Sequence, residues 1–124
     1  MTRKILIVDD EPDVLRVLGV RLKCFGYEPL ASANAAEAFE KIRKEKPDLV
    51  LMDILLPGMD GCEVCRQLKN DKALRHIPVL LITASILEEN IGERMQSSGA
   101  DDYLIKPFEP EILLKKIKRL TGEE

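Results

Sequence analysis

The sequence of 124 residues contains little histidine, little cysteine and no long apolar run, and each shortage excludes a class of protein. His76 is the only histidine, which rules out any site that needs several imidazoles. The three cysteines, Cys24, Cys62 and Cys65, are an odd number at low density, so a disulfide scaffold is disfavoured. No apolar run approaches the roughly 20 residues that span a bilayer.

Charge of one sign is not in large excess either. Lys and Arg number 19 and Asp and Glu number 22, for a net charge of -3, whereas a dedicated nucleic-acid-binding protein would show a strong basic excess. The apolar stretch near the start ends at Asp9 and Asp10 and is too short for the core of a signal peptide. We therefore expect a cytoplasmic protein that contacts neither membrane nor nucleic acid, with residues 1–124 forming one domain.

Continuous apolar runs, as opposed to alternating ones, predict strands that are buried on both faces. Such runs occupy Ile5–Val8, Leu49–Met52, Val79–Ile82 and Tyr103–Ile105. A weaker fifth candidate, Tyr27–Ser32, contains Pro29, which cannot donate a hydrogen bond to a neighbouring strand. That strand should therefore lie at an edge of the sheet.

Between the strands, apolar residues recur at helical spacing and are flanked by residues typical of helix ends. Asn34, Asp60 and Ser85 each have a glutamate three residues later, as in a capping box. Gly26 is placed to end the first helix, and Pro110 fits the first turn of the last. The residues predicted to face inward are Val14, Leu15, Leu18, Leu22 and Phe25; Ala35, Ala38, Phe39 and Ile42; Val64, Cys65 and Leu68; Leu87, Ile91 and Met95; and Leu113, Ile117 and Leu120.

Strand and helix thus alternate five times, which predicts an α/β fold in which helices cover both faces of a parallel sheet. With the second strand at an edge, the strand order is 2-1-3-4-5, the flavodoxin-like form of the doubly wound (βα)5 fold. Ligand sites in such folds form beyond the carboxyl ends of the strands, at the switch point between strands 1 and 3.

The residues that follow the strands are therefore the candidates for a site. They are Asp9 and Asp10 after strand 1, Asp53 after strand 3, Thr83 after strand 4 and Lys106 after strand 5. Three close carboxylates repel one another unless some are protonated or a cation neutralises them, and Mg²⁺ is the natural cation for such oxygen ligands. A carboxylate beside Mg²⁺ and a lysine can attack a phosphoryl group and form an aspartyl phosphate.

Each residue also has an ordinary structural interpretation. Asp9 and Asp10 could simply begin the first helix, Thr83 is a common strand residue, and Lys106 could be a surface lysine. Asp53 is harder to explain in this way, because a charge at the end of a central strand is costly unless it is paired. The placement of all of these residues at strand ends favours a site.

The motifs resemble those of the receiver domain of bacterial two-component response regulators, and the similarity covers nearly the whole chain. The segments that carry it are Ile5-Leu6-Ile7-Val8-Asp9-Asp10-Glu11, Asp48-Leu49-Val50-Leu51-Met52-Asp53, Leu56-Pro57-Gly58-Met59-Asp60-Gly61, Thr83-Ala84 and Gly99-Ala100-Asp101-Asp102-Tyr103-Leu104-Ile105-Lys106-Pro107-Phe108.

The resemblance implies that Asp53 accepts a phosphoryl group from a phosphohistidine on a sensor histidine kinase. It implies that Asp10, Asp53 and the main-chain carbonyl of Leu55 bind Mg²⁺ directly, and that Asp9 acts mostly through water. Such a protein catalyses only its own aspartyl phosphorylation and dephosphorylation, and is otherwise no enzyme. Leu55 and Ser85, which lie two residues after Asp53 and two residues after Thr83, would tune the lifetime of the phosphate.

By the same resemblance, Thr83, the backbone N–H of Ala84 and Lys106 contact the phosphoryl oxygens. Tyr103 turns inward as Thr83 moves, and the Lys106–Pro107 peptide bond is cis. The face formed by helix 4, strand 5 and helix 5 then binds a downstream effector. The chain would be a stand-alone regulator similar to the chemotaxis type, or the first domain of a longer one.

Alternative interpretations are weaker. A flavodoxin would need a hydroxyl- and glycine-rich loop after strand 1, and a dehalogenase-type phosphatase would need an acid where Leu55 stands. A protein-interaction module that works without phosphorylation is the main alternative. The Cys62-x-x-Cys65 pair resembles a redox motif, but its place on a helix favours packing, as we also expect for Cys24, while His76 should be exposed.

Overall fold

A computed structural model describes residues 2–56, 58–84 and 91–123, and in these residues five helices alternate with the five strands of one sheet. The strands are β1 (Lys4–Val8), β2 (Glu28–Ser32), β3 (Leu49–Asp53), β4 (Val79–Thr83) and β5 (Asp102–Ile105). The helices are α1 (Pro12–Cys24), α2 (Ala35–Glu45), α3 (Gly61–Asn70), α4 (Ile91–Ser97) and α5 (Pro110–Thr121). Leu55–Leu56 and Met59–Asp60 form a separate two-stranded antiparallel ladder.

The sheet is parallel throughout, in the order β2-β1-β3-β4-β5, which confirms the predicted arrangement. The edge position of β2 agrees with the presence of Pro29 in that strand. The switch point lies between β1 and β3, where Val8 is level with Met52. The residues that follow these two strands therefore emerge side by side.

Helices cover both faces because successive side chains of a strand point to opposite sides. In β1, Leu6 and Val8 pack into a core with residues of α2, α3 and α4. Ile5 and Ile7 pack into a second core with residues of α1 and α5. Strands β1, β3 and β4 are buried almost completely, so close packing on both faces fixes the positions of their carboxyl ends.

The predicted helix ends are largely confirmed. The side chain of Asn34 accepts the backbone N–H of Glu37 at 2.9 Å, as in a capping box. The side chain of Asp60 begins α3 but accepts the N–H of Cys62 instead of Glu63. Gly122 ends α5 with a φ of 79°. The predicted start of the fourth helix at Ser85 and Glu88, the inward position of Leu87, and Pro57 lie outside the described residues.

Two expectations about burial are wrong. Strand β5 is not buried on both faces, because it is the other edge of the sheet and exposes Tyr103 and Ile105. Cys24 is exposed at the end of α1 and does not pack against the core. His76 is exposed as expected. Within the described ranges, no helix has the length and apolarity to cross a membrane.

Candidate functional site

Adjacent strands of the sheet bring Asp9 and Asp53 together. Asp53 is the last residue of β3, and Asp9 directly follows β1, where its backbone N–H donates to the carbonyl of Ser32 at 3.1 Å. Lys106 follows β5, and its N–H donates to the carbonyl of Thr83 at 2.8 Å. Asp9, Asp53 and Lys106 are therefore held together at the carboxyl ends of the strands.

The side chain of Lys106 lies between the two acids. Its Nζ atom is 3.2 Å from Oδ2 of Asp53 and 3.7 Å from Oδ2 of Asp9. The other oxygen of each acid accepts a backbone N–H at 2.9 Å, from Leu55 for Asp53 and from Glu11 for Asp9. Both carboxylates are buried, with exposed fractions of 9% for Asp53 and 2% for Asp9. One ammonium group therefore serves two buried carboxylates.

This imbalance of charge appears in the pKa values. The pKa of Asp9 is raised from 3.8 to about 6, chiefly because burial disfavours the charged form and further because Asp53 lies beside it. The N–H of Glu11 and the charge of Lys106 only partly oppose that rise. Burial alone would lower the pKa of Lys106, but the charge and hydrogen bond of Asp53 outweigh it, so the pKa of Lys106 is raised.

The acids also fit a small, hard cation. Carboxylate oxygens of Asp9, Asp10 and Glu11 lie within 4.8 Å of one another, and this is the group of potential ligands found among the described residues. Oxygen ligands and an excess of negative charge are what Mg²⁺ needs. The structure thus groups Asp9 with Asp10, adds Glu11, and leaves Asp53 outside that group, paired with Lys106.

The remaining predicted residues surround this centre. Thr83 ends β4 and is buried, and Ala84 follows it in an exposed position. The Lys106–Pro107 peptide bond is cis. The side chain of Leu55 is exposed and only its backbone turns to the acids, through the N–H that Asp53 accepts. Tyr103 lies on β5, and 45% of its surface is exposed.

Gly61 is the last residue of the motif that begins at Leu56, but no role was predicted for it. Its N–H donates to the carbonyl of Ile54 at 2.7 Å. A Cβ atom at Gly61 would lie 2.3 Å from the carbonyl oxygen of Asp53, closer than real side chains come. Only glycine therefore lets the start of α3 pack directly on the backbone of Asp53. The motif contains this glycine, but the physical reason for it is not visible in the sequence, because the close approach depends on how the chain folds back after β3.

The Cys62-x-x-Cys65 pair packs in the core, as expected. Both side chains are buried on the inner face of α3. Burial raises the pKa of the Cys65 thiol, which opposes the thiolate form that redox chemistry needs. Packing is therefore the role that the structure gives to this motif.

Comparisons with known proteins identify relatives in both sequence and structure. The sequence pattern of the family described as "Response regulator receiver domain" matches residues 5–118. The phosphate regulon transcriptional regulatory protein PhoB of Pseudomonas aeruginosa is 42% identical over 123 residues, which cover 97% of this chain and 53% of that protein. The chain therefore spans about half the length of this curated relative.

Two solved structures are similar over almost their full length. The chemotaxis response regulator CheY4 of Vibrio cholerae has a TM-score of 0.87 and 30% identity, and the match covers 97% of this chain and 99% of that one. The receiver domain of the sensor histidine kinase PA1611 from Pseudomonas aeruginosa has a TM-score of 0.90 and 29% identity, covering 99% and 100%. That structure has a magnesium ion coordinated in its active site cleft.

Proposed function

Because this chain belongs to the family of response regulator receiver domains, we propose that Asp53 accepts a phosphoryl group from the phosphohistidine of a sensor histidine kinase, in a reaction that depends on Mg²⁺. The observation that carries the proposal is the contact of 3.2 Å between Oδ2 of Asp53 and Nζ of Lys106, on a buried edge shared with Asp9. A carboxylate held next to a fixed cation is suited to receive a phosphoryl group.

In the proposed reaction, an oxygen of Asp53 forms a bond to phosphorus while the bond from phosphorus to the histidine nitrogen breaks. The N–H of Leu55 holds the Oδ1 atom of Asp53, which leaves Oδ2 to attack. Lys106 then transfers its contact from the carboxylate to the new phosphoryl oxygens, and Thr83 and Ala84 donate to them. The protein would thereby catalyse only its own phosphorylation and dephosphorylation.

Mg²⁺, held directly by the carboxylates of Asp10 and Asp53 and the carbonyl of Leu55, and by Asp9 mostly through water, would supply the positive charge that lets a phosphate approach these acids. The relative with a magnesium ion in its active site cleft supports this assignment. The proximity of Asp9, Asp10 and Glu11 supports it independently. Glu11 would then hold water or a metal ligand in place at the rim of the site.

The kinase would dock on an apolar groove beside Lys106. This groove of about 590 Å³ lies between α1 and the segment that joins β5 to α5. Val17 lines it and is 56% exposed, while Lys106 and Pro107 connect the groove to the phosphorylation site. A kinase seated in this groove would therefore bring its phosphohistidine close to Asp53.

Because a phosphohistidine is made from ATP, the proposed reaction also implies that the protein works in the cytoplasm.

The signal would leave through the face formed by α4, β5 and α5. Phosphorylation adds a charge of about -1.5 to -2 and draws Thr83 and Lys106 towards Asp53. Tyr103, which is 45% exposed in this structure, would turn inward as Thr83 withdraws. A downstream effector protein would then recognise the changed face.

The test is phosphorylation by acetyl phosphate with Mg²⁺, followed by mass spectrometry and acid-gel analysis. We expect the wild type to gain one phosphoryl group of an acyl-phosphate type, and Asp53→Asn to gain none. Equal labelling of the two proteins would refute the assignment of Asp53. Absence of labelling from any donor would favour an interaction module that does not use phosphorylation.

Docking of the kinase is tested separately with Val17→Glu. This change places a charge in the groove without touching the acids, so labelling by acetyl phosphate should persist. Transfer from the phosphorylated kinase should fall by at least about tenfold, because a buried charge in the interface is costly. Val20→Glu is the matched control, since Val20 is equally exposed on α1 but lies outside this groove.

A further inference from the structure

An ion pair joins helix α4 to the segment that follows the phosphorylation site. Arg94, on α4, contacts Oδ2 of Asp60 through its guanidinium group. The other oxygen of Asp60 accepts the N–H of Cys62 at 2.7 Å and thereby begins α3. Asp60 is therefore held by its own helix and presents its second oxygen to α4.

Asp60 is in turn closely connected to the backbone of Asp53. It pairs with Leu55 in the short antiparallel ladder, and Leu55 lies two residues after Asp53. The next residue, Gly61, donates its N–H to Ile54 at 2.7 Å and packs against the carbonyl of Asp53. A shift of Asp60 by even a fraction of an ångström would therefore be felt at the backbone of Asp53.

Within the described residues, helix α4 comprises Ile91–Ser97, of which Ile91 and Met95 are buried in the core. Beyond its carboxyl end, Asp101 is fixed by Lys69 at 2.8 Å and accepts the N–H of Val79, so that end is anchored to α3 and β4. The Asp60–Arg94 pair is a polar attachment of the described part of this helix, and it connects α4 to the segment that follows Asp53.

From these contacts we infer that Arg94 is a positioning residue, which holds α4 in its resting place through Asp60 and so opposes the switch. The inference rests on the proposed function, because it concerns the regulation of the same site. Thr83 ends the strand that precedes α4 in the chain, so drawing Thr83 towards a phosphoryl group pulls on α4. The Asp60–Arg94 pair resists that displacement, and the resting state is favoured as long as it is intact.

The expected effect is small but measurable. Both side chains are about one-third exposed, with fractions of 30% for Arg94 and 36% for Asp60. Ion pairs with that exposure change an equilibrium by at most about fivefold. A ligand that selects the switched state should therefore bind about two- to fivefold more tightly once the pair is removed.

The experiment is a double-mutant cycle of Arg94→Gln and Asp60→Asn, with beryllofluoride and Mg²⁺ as the probe and NMR titration as the readout. Asparagine begins helices as well as aspartate does, so Asp60→Asn removes the charge and keeps the start of α3. Arg66→Gln is the control, because the ion pair of Arg66 with Glu63 lies within α3. Arg94→Lys should restore part of the wild-type behaviour.

We expect Arg94→Gln and Asp60→Asn each to tighten the binding of beryllofluoride two- to fivefold, the double variant to add nothing further, and Arg66→Gln to match the wild type. Amide hydrogen exchange of residues 92–97 without Mg²⁺ should rise by a similar factor in both single variants. Additive effects, or an Arg94→Gln variant equal to the control in both measurements, would overturn the inference. If the wild type binds no beryllofluoride, the proposed function fails, while hydrogen exchange still decides whether Arg94 holds α4.

Discussion

Replacing Asp9 by asparagine should stabilise the metal-free protein at neutral pH, because Asp9 carries its charge there in an unfavourable place. Burial, followed by the proximity of Asp53, raises the pKa of Asp9 from 3.8 to about 6. At about 1.4 kcal/mol per pH unit, this rise corresponds to about 3 kcal/mol of destabilisation once Asp9 is ionised. Asparagine is neutral, has the same shape, and keeps an oxygen for the N–H of Glu11.

The gain should depend on pH in a defined way. The unfolded chain releases the Asp9 proton near pH 3.8, and the folded chain releases it near pH 6. Between these values the folded state holds a proton that the unfolded state has lost, so the contribution of Asp9 to the free energy of unfolding falls as the pH rises. The advantage of Asp9→Asn is therefore absent below about pH 4, grows up to about pH 6 and then stays constant.

Urea denaturation with EDTA at several pH values between 4 and 8 measures this difference. Asp13→Asn is the control, because Asp13 is an exposed acid of α1 and its loss should change stability by less than about 0.5 kcal/mol. With Mg²⁺ at about 100 times the wild-type Kd, the wild type should gain about 2.7 kcal/mol. Asp9→Asn keeps the other ligands but lacks one attracting charge, so it should gain less and the gap should narrow. Equal stability of wild type and Asp9→Asn at pH 8, or a gain that is the same at pH 4, would refute the reasoning.

Three further results are expected. Gly61→Ala should lose about 1–3 kcal/mol in urea denaturation, because its Cβ would collide with the backbone of Asp53, whereas Gly92→Ala, with open space around it, should lose nothing; equal losses would contradict the packing seen here. Mg²⁺ affinity by calorimetry should fall steadily below about pH 6, as the proton on Asp9 competes with the metal; a flat profile down to pH 5 would show that Asp9 takes no part. Exposed Cys24 should be the one thiol that reacts quickly with Ellman's reagent in the native protein, and Cys24→Ser should abolish this fast reaction. Fast reaction of three thiols would show that Cys62 and Cys65 are not buried in the core.

The sequence was sufficient for the sheet and for most of the site because those features depend on local rules. Continuous apolar runs indicated β1, β3 and β4, and the proline in β2 indicated its edge position. Site residues follow the strands directly, so the parallel topology alone brings Asp9, Asp53 and Lys106 together. The prediction that an apolar run is buried on both faces failed for β5. Such a run indicates a strand, but it does not indicate whether helices cover both of its faces.

The features that the sequence did not reveal depend on distances between elements. Nothing in the spacing of Asp60 and Arg94 predicts that α3 and α4 approach closely enough for an ion pair. The need for glycine at position 61 follows from a backbone contact with Asp53, and no periodicity reports such a contact. Cys24 lies outside the stripe of Leu18, Leu22 and Phe25, so its expected packing depended on residue type alone, and its side chain is exposed at the end of α1.

The charge of the site also bears on the choice between a phosphorylated switch and an interaction module that works without phosphorylation. An interaction module does not need two buried carboxylates beside one lysine. With asparagine in place of Asp9, its free energy of unfolding at neutral pH would be about 3 kcal/mol higher. A Mg²⁺ site needs these carboxylates, because the bound cation neutralises charges that otherwise repel one another. If Asp9→Asn stabilises the metal-free protein and Mg²⁺ narrows the difference, the acids are kept for binding a cation and not for folding. That result would favour the Mg²⁺-dependent switch over the interaction module without any knowledge of the partner.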